Sequence, residues 1–91
     1  MKILVADDDP VLLTIVAAGL KASGHEIKSV STGGQAWNIL KTQSYPIVIT
    51  DWSMPEIDGL QLTQLIRRTP RESYTYVIML TGKTRARRTE S

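Results

Sequence analysis

Apolar residues along this chain follow two alternating rhythms, one suited to buried strands and one to helices. Ile3-Leu4-Val5-Ala6 is an unbroken apolar run that ends in acids, the pattern of a strand buried on both faces. Asp9 then stands at an N-cap position, with Pro10 at the first helical position, where its missing N–H costs nothing. Val11, Leu12, Ile15, Val16 and Leu20 recur at helical spacing, and Ser23-Gly24 stops the helix. Residues 25–30 carry Ile27 and Val30 among polar neighbours, which predicts an edge strand, with His25 as an exposed turn residue. Ser31-Thr32-Gly33-Gly34 reads as a loop into a second helix with Ala36, Trp37, Ile39 and Leu40 on its apolar side. Tyr45-Pro46 closes that unit. Ile47-Val48-Ile49-Thr50 is another buried strand, running into Asp51. A loop through Met54-Pro55 and Asp58-Gly59 leads to a third helix, marked by Leu60, Leu62, Leu65 and Ile66, that ends before Pro70. Residues 76–81 predict the last strand.

The order is β-α-β-α-β-α-β. Strands alternating with helices imply parallel strands joined by right-handed crossovers. The expected fold class is α/β, a doubly wound parallel sheet of four strands and three helices. After Gly82 the pattern stops. Residues 83–91 hold one apolar residue, Ala86, and cannot form a core-facing helix. The chain therefore divides into a folded unit, 1–82, and a basic tail, 83–91, expected to be disordered.

Charge sharpens this division. The net charge is +2, but Lys83, Arg85, Arg87 and Arg88 face a single acid, Glu90, in the tail. Without the tail the remainder is slightly acidic, so the overall basicity is no argument for a nucleic-acid-binding body. A solvated tail explains the basic cluster better than a nucleic-acid contact, since no aromatic residue is interleaved with its charges. No cysteine is present, which excludes disulfides and thiolate metal sites. No apolar run approaches the ~20 residues of a membrane span, and acids at Asp7, Asp8 and Asp9 interrupt any signal-peptide core. A soluble cytoplasmic protein is expected.

The chemistry gathers where strands end. Val5-Ala6-Asp7-Asp8 and Ile49-Thr50-Asp51 are buried strands terminated by carboxylates, and a third strand ends in the hydroxyl of Thr81. In open parallel sheets ligands bind at the carboxyl ends of the strands. If the first and third strands are neighbours, the acids converge at one rim, where they repel one another. A divalent cation relieves that repulsion, and oxygen-only donors without His or Cys favour Mg²⁺. A single Asp at a strand end is commonly only a helix cap or loop residue, and Asp9 is read that way. Trp37 is read as core, and Met54-Pro55 taken alone as a turn. The combination of two acid-terminated strands and a hydroxyl-terminated one in a single βα series is what points to a site.

"ILVADDDP", "IVITDWSMPEIDG" and "VIMLTG" resemble the receiver domains of bacterial two-component response regulators, over residues 2–82. The D-x-x-M-P-x-x-D-G string from Asp51 to Gly59 is the most specific part. The resemblance implies a flavodoxin-like fold with strands in the spatial order 2-1-3-4-5. It implies that Asp51 is the phosphoacceptor, taking a phosphoryl group from a phosphohistidine on a histidine kinase or phosphotransfer protein. It implies Mg²⁺ held by Asp8, Asp51 and the backbone carbonyl of Ser53, with Asp7 acting through water. Thr81 matches the hydroxyl that contacts the phosphoryl group. Such a module is a signalling acceptor rather than an enzyme, at most self-catalysing its phosphorylation and dephosphorylation.

Measured against the family, the chain is expected to be truncated after its fourth strand, lacking the last strand with its lysine and aromatic switch residue, and the last helices. Lys83 occupies a position that family members use to tune dephosphorylation, and is not expected to replace the missing lysine. Phosphorylation is then expected to be slow. The fourth strand would be a bare edge and the first helix would lack a neighbour, so a homodimer or swapped assembly through these elements is expected. The abrupt arginine-rich tail fits an out-of-frame read. Two other functions compete. One is a degenerate receiver serving only as a dimerisation or interaction module. The other is a haloacid dehalogenase-type phosphatase, because Asp7-x-Asp9-x-Val11 fits the D-x-D-x-[TV] pattern; Pro10 and the helical spacing after it argue against this by making Asp9 a cap.

Overall fold

The structure, a computed structural model, describes residues 1–70 and 73–80 of the 91 in the chain. Its elements follow in the order β1 (Lys2–Ala6), α1 (Pro10–Ala22), β2 (Glu26–Val30), α2 (Gly33–Leu40), β3 (Ile47–Asp51), α3 (Gly59–Arg68) and β4 (Tyr76–Leu80). The four strands form one parallel sheet in the order β2-β1-β3-β4.

Local signals place the helix ends. Asp9 caps α1, its carboxylate accepting the backbone N–H of Val11 at 3.0 Å and of Leu12 at 3.4 Å. At the other end Gly24 adopts φ +89°, a left-handed conformation that glycine enters without steric penalty. There Gly24 N–H donates to Lys21 O and His25 N–H to Leu20 O, which together close the helix. Thr32 caps α2 through Gln35 N–H. Asp58 and Gln61 form a reciprocal capping box at the start of α3.

The sheet separates two apolar layers because alternate residues of a strand face opposite ways. Ile3, Val5 and Ile49 pack beneath Leu13, Val16 and Leu20 of α1. Leu4, Ala6, Val30 and Val48 face the other way, against Ala36 and Leu40 of α2 and Leu62 and Ile66 of α3. Helices on both faces make the sheet doubly wound, as the alternation of patterns predicts. The layers are unequal. No residue of α1 is fully buried, and its Val11 and Ile15 are 66% and 62% exposed. On the same side of the sheet Ile78 of β4 is half exposed, while Val77 faces the α2–α3 layer. Among the described residues β4 is an edge strand.

Several local expectations shift. Gly33 and Gly34 belong to the first turn of α2 instead of a preceding loop, because Thr32 takes the cap. Met54 is buried in the α2–α3 layer as well as shaping a turn. His25 is half-buried. Trp37 packs against the core from a half-buried position. The expected hydroxyl end of the last strand, Thr81, lies outside the described residues, as does the tail 83–91.

Candidate functional site

The chain passes from β1 to β2 on one side and then crosses back to β3 on the other. That reversal is the topological switch point, where an open parallel sheet leaves a crevice at its carboxyl edge. β1 and β3 pair there with Ala6 opposite Thr50, so Asp7 and Asp51 stand level, one residue further along. Asp8 follows directly on the rim.

The expected convergence of acids is realised. Asp7, Asp8 and Asp51 each offer a carboxylate oxygen, and these three atoms all lie within 4.8 Å of one another. Asp7 and Asp51 are buried and Asp8 is exposed, so the cluster opens to solvent through Asp8. The two buried acids are also held by the backbone around them. Asp7 Oδ1 accepts the N–H of Asp9 at 2.9 Å, and Asp7 N–H donates to Val30 O at 3.2 Å. Asp51 Oδ1 accepts the N–H of Trp52 at 2.9 Å, and the same N–H reaches Leu80 O at 3.1 Å. Trp52, partly exposed, thus ties the end of β3 to the end of β4.

The loop after Asp51 carries Ser53, exposed two residues on, and then turns sharply. Thr50 Oγ1 lies 3.8 Å from Met54 Sδ, so the loop's first half is pinned into the core. Ile57 N–H donates to Pro55 O at 2.9 Å around Glu56, whose φ is +74°. That is a strained three-residue turn, with a cost of about 1–3 kcal/mol for a residue other than glycine. It persists where its surroundings dictate it. The loop ends at Gly59, whose N–H donates to Trp52 O at 2.8 Å as α3 begins. A Cβ at Gly59 would overlap the Asp51 carbonyl oxygen, and would lie 2.7 Å from Met79 Sδ and 3.1 Å from Trp52 Cα. Glycine at this position lets α3 start against the strand that bears Asp51. Sequence reasoning singled out Asp51, Met54-Pro55 and Asp58-Gly59 but not Glu56. The adjacent pair Gly33-Gly34, opposite that turn, was the available signal.

The model of the response regulator receiver domain family matches residues 3–90, nearly the whole chain. The chain belongs to the response regulator receiver family. A chemotaxis protein CheY homologue from Campylobacter jejuni is 35% identical over 83 residues, which are 89% of this chain and 64% of that protein. This receiver chain therefore spans less than two thirds of its relative's length. Among solved structures, the receiver domain of the sensor histidine kinase PA1611 from Pseudomonas aeruginosa, with a magnesium ion coordinated in its active-site cleft, superposes with a TM-score of 0.82. It is 31% identical, and the match covers 88% of this chain and 66% of that one. A structure of the histidine kinase ThkA in complex with the response regulator TrrA matches with a TM-score of 0.76 at 31% identity, covering 86% of this chain and 66% of the matched one.

The family sets this receiver among signalling modules of two-component systems and leaves the phosphatase reading without support. Asp9, the residue that reading needs beside a nucleophilic Asp7, is engaged as the cap of α1. The donor set suits a hard cation, since the clustered groups are carboxylates without sulfur or imidazole. No helix of the described residues is long and apolar enough to cross a membrane.

Proposed function

We propose that this receiver takes a phosphoryl group onto Asp51 from the phosphohistidine of a histidine kinase or phosphotransfer protein, as one step of a cytoplasmic phosphorelay. The observation that carries the reading is the grouping of Asp7, Asp8 and Asp51 at the switch point, with their oxygens within 4.8 Å. Family membership supports it, as do the magnesium in the cleft of the PA1611 receiver and the kinase–regulator pairing of ThkA with TrrA.

A carboxylate oxygen of Asp51 attacks the phosphorus. The P–N bond to the donor imidazole breaks as the P–O bond forms, and the imidazole leaves with the electron pair. Such transfer depends on in-line positioning and on neutralising charge at the phosphoryl oxygens. In this reading Asp8, Asp51 and the Ser53 carbonyl would hold Mg²⁺, with Asp7 acting through water, and the cation would supply positive charge against the clustered carboxylates and the phosphoryl oxygens. Trp52 N–H, donating to Asp51 Oδ1 at 2.9 Å, fixes the orientation of the nucleophile. Asp7, buried and braced by Asp9 N–H, is the rigid member of the acidic pair. Thr81, next in sequence after Leu80, is assigned the phosphoryl-contacting hydroxyl. Hydrolysis would remove the group again, water attacking the phosphorus as the bond to the Asp51 oxygen breaks and inorganic phosphate leaves.

Intact mass after incubation with Mg²⁺ and a small acyl phosphate or phosphoramidate tests this, beside an Asp51→Asn control. One added phosphoryl group in the parent alone is expected. No gain in a folded protein sinks the proposal.

A second reading, an interaction module that associates with its own kind, is favoured by one observation. Val11 and Ile15 of α1 and Ile78 of β4 expose apolar side chains on the same side of the sheet. A homodimer or swapped assembly through β4 and α1 would cover them.

A further inference from the structure

The loop that follows the phosphoacceptor rests on a second element that nothing in the acidic cluster requires. Its strained turn at Glu56 lies against the first turn of α2. A Cβ on Gly33 would overlap the Ile57 carbonyl oxygen, with the Ile57 carbonyl carbon 2.7 Å away and its Cβ 2.8 Å away. The space a Cβ on Gly34 would fill is taken by the Glu56 carboxylate, with Glu56 Cδ 3.0 Å from that point. The two glycines therefore form a seat, one accepting loop backbone and the other a loop carboxylate.

The electrostatics are complementary. The first turn of α2 contains no acidic residue of its own, although a helix N-terminus favours negative charge. Glu56 brings that charge from another element. The left-handed φ of Glu56 is what turns its side chain back toward α2 while Ile57 N–H closes on Pro55 O. Strain of this kind survives when a contact repays it.

We propose that Gly33, Gly34 and Glu56 are positioning residues for the phosphoacceptor site: Glu56, seated on the start of α2, holds the β3–α3 loop in the conformation that presents Ser53 beside Asp51. The inference rests on the Mg²⁺-dependent reading above. It differs from a packing role in what it couples. Releasing the seat should weaken Mg²⁺ binding in a protein that stays folded, because only the docked fraction of loop conformations is competent.

The experiment is a Mg²⁺ titration of the full 91-residue chain, followed by nitrogen-15 NMR at the Trp52 amide, which donates to Asp51 Oδ1. The parent is compared with Gly34→Ala, Glu56→Gln, Glu56→Gly and Gly33→Ala, and thermal midpoints are measured alongside. Gly34→Ala displaces only the end of a flexible side chain, so its fold should persist. Glu56→Gly removes the anchor while relieving the left-handed strain, so its thermal midpoint should hold or rise. In both, the Mg²⁺ midpoint should move up several-fold. Glu56→Gln, which keeps the shape and loses the charge, should move it less, by at most about two- to fivefold, the full factor a charge at a helix N-terminus commands. Gly33→Ala, which displaces loop backbone, should have the largest effect.

Unchanged Mg²⁺ midpoints in folded Gly34→Ala and Glu56→Gly would overturn the proposal while leaving the phosphoacceptor reading intact. A parent whose Trp52 amide does not respond to Mg²⁺ would overturn this proposal together with the Mg²⁺ assignment it rests on, whereas the mass assay with Asp51→Asn decides separately whether Asp51 takes a phosphoryl group.

Discussion

Replacing Gly59 by alanine tests whether α3 is packed as closely against β3, the strand that bears Asp51, as the structure has it. The new methyl group would overlap the Asp51 carbonyl oxygen and sit 2.7 Å from Met79 Sδ and 3.1 Å from Trp52 Cα. The thioether can swing aside, as methionine side chains do. The other two atoms are backbone at the end of β3 and just past it, and the bond from Gly59 N–H to Trp52 O at 2.8 Å keeps the helix from backing away. Overpacking of this kind costs about 1–3 kcal/mol, and alanine's better helix propensity returns at most about 1 kcal/mol. A net loss of about 1–2 kcal/mol should lower the thermal midpoint by roughly 5–15 °C in a domain of this size. Gly19→Ala is the matched control. Gly19 lies inside α1, and nothing would come within 4 Å of the added carbon. That substitution should raise the midpoint by a few degrees, from about 0.5–1 kcal/mol of recovered helix stability. Thermal melts by circular dichroism measure both. If the two substitutions shift the midpoint upward alike, the close approach of α3 to β3 is wrong, and so is the account of what positions Asp51.

Three further outcomes are expected. Asp58→Ala removes the half of the capping box in which the Asp58 carboxylate accepts Gln61 N–H, leaving the backbone N–H of residue 58 to donate to Gln61 Oε1, and should cost about 1 kcal/mol in chemical denaturation; a loss below a few tenths would show that the carboxylate cap contributes nothing. Asp9→Ala should destabilise α1 by a similar amount while leaving acyl-phosphate labelling of Asp51 in place. Labelling abolished in a folded Asp9→Ala protein would mean that Asp9 does more than cap. Ile78→Lys, on the open face of β4, should shift the chain toward monomer in sedimentation at low micromolar concentration, and a parent that already sediments as a compact monomer would refute self-association through this face.

Hydrophobic patterning, together with local cap and turn signals, determined the order and kind of every element among the described residues. Local chemistry does the same work in sequence and in structure where Asp9-Pro10 starts α1 and Ser23-Gly24 ends it, whereas Asp58-Gly59, which reads in sequence as loop, caps and opens α3. Unbroken apolar runs at residues 3–6 and 47–50 announce strands covered on both faces, because such strands have no side left for water. The acids at their ends were legible for the same reason, since a carboxylate after a fully apolar strand stands out against it.

Tertiary structure decided what depends on approach between distant segments. No local rule puts β1 beside β3, and without that pairing Asp7 and Asp51 are unrelated acids 44 residues apart in sequence. Met54 looked like part of a turn, yet it is buried because the loop folds inward over Thr50. Gly33 and Gly34 looked like a loop, because their meaning lies in Glu56 and Ile57 of another segment. Glu56 itself gave no sign, since a left-handed conformation at a residue other than glycine is imposed by surroundings and leaves no mark in composition. Propensity and periodicity act between near neighbours, whereas the site is made of contacts that exist only once the sheet has formed.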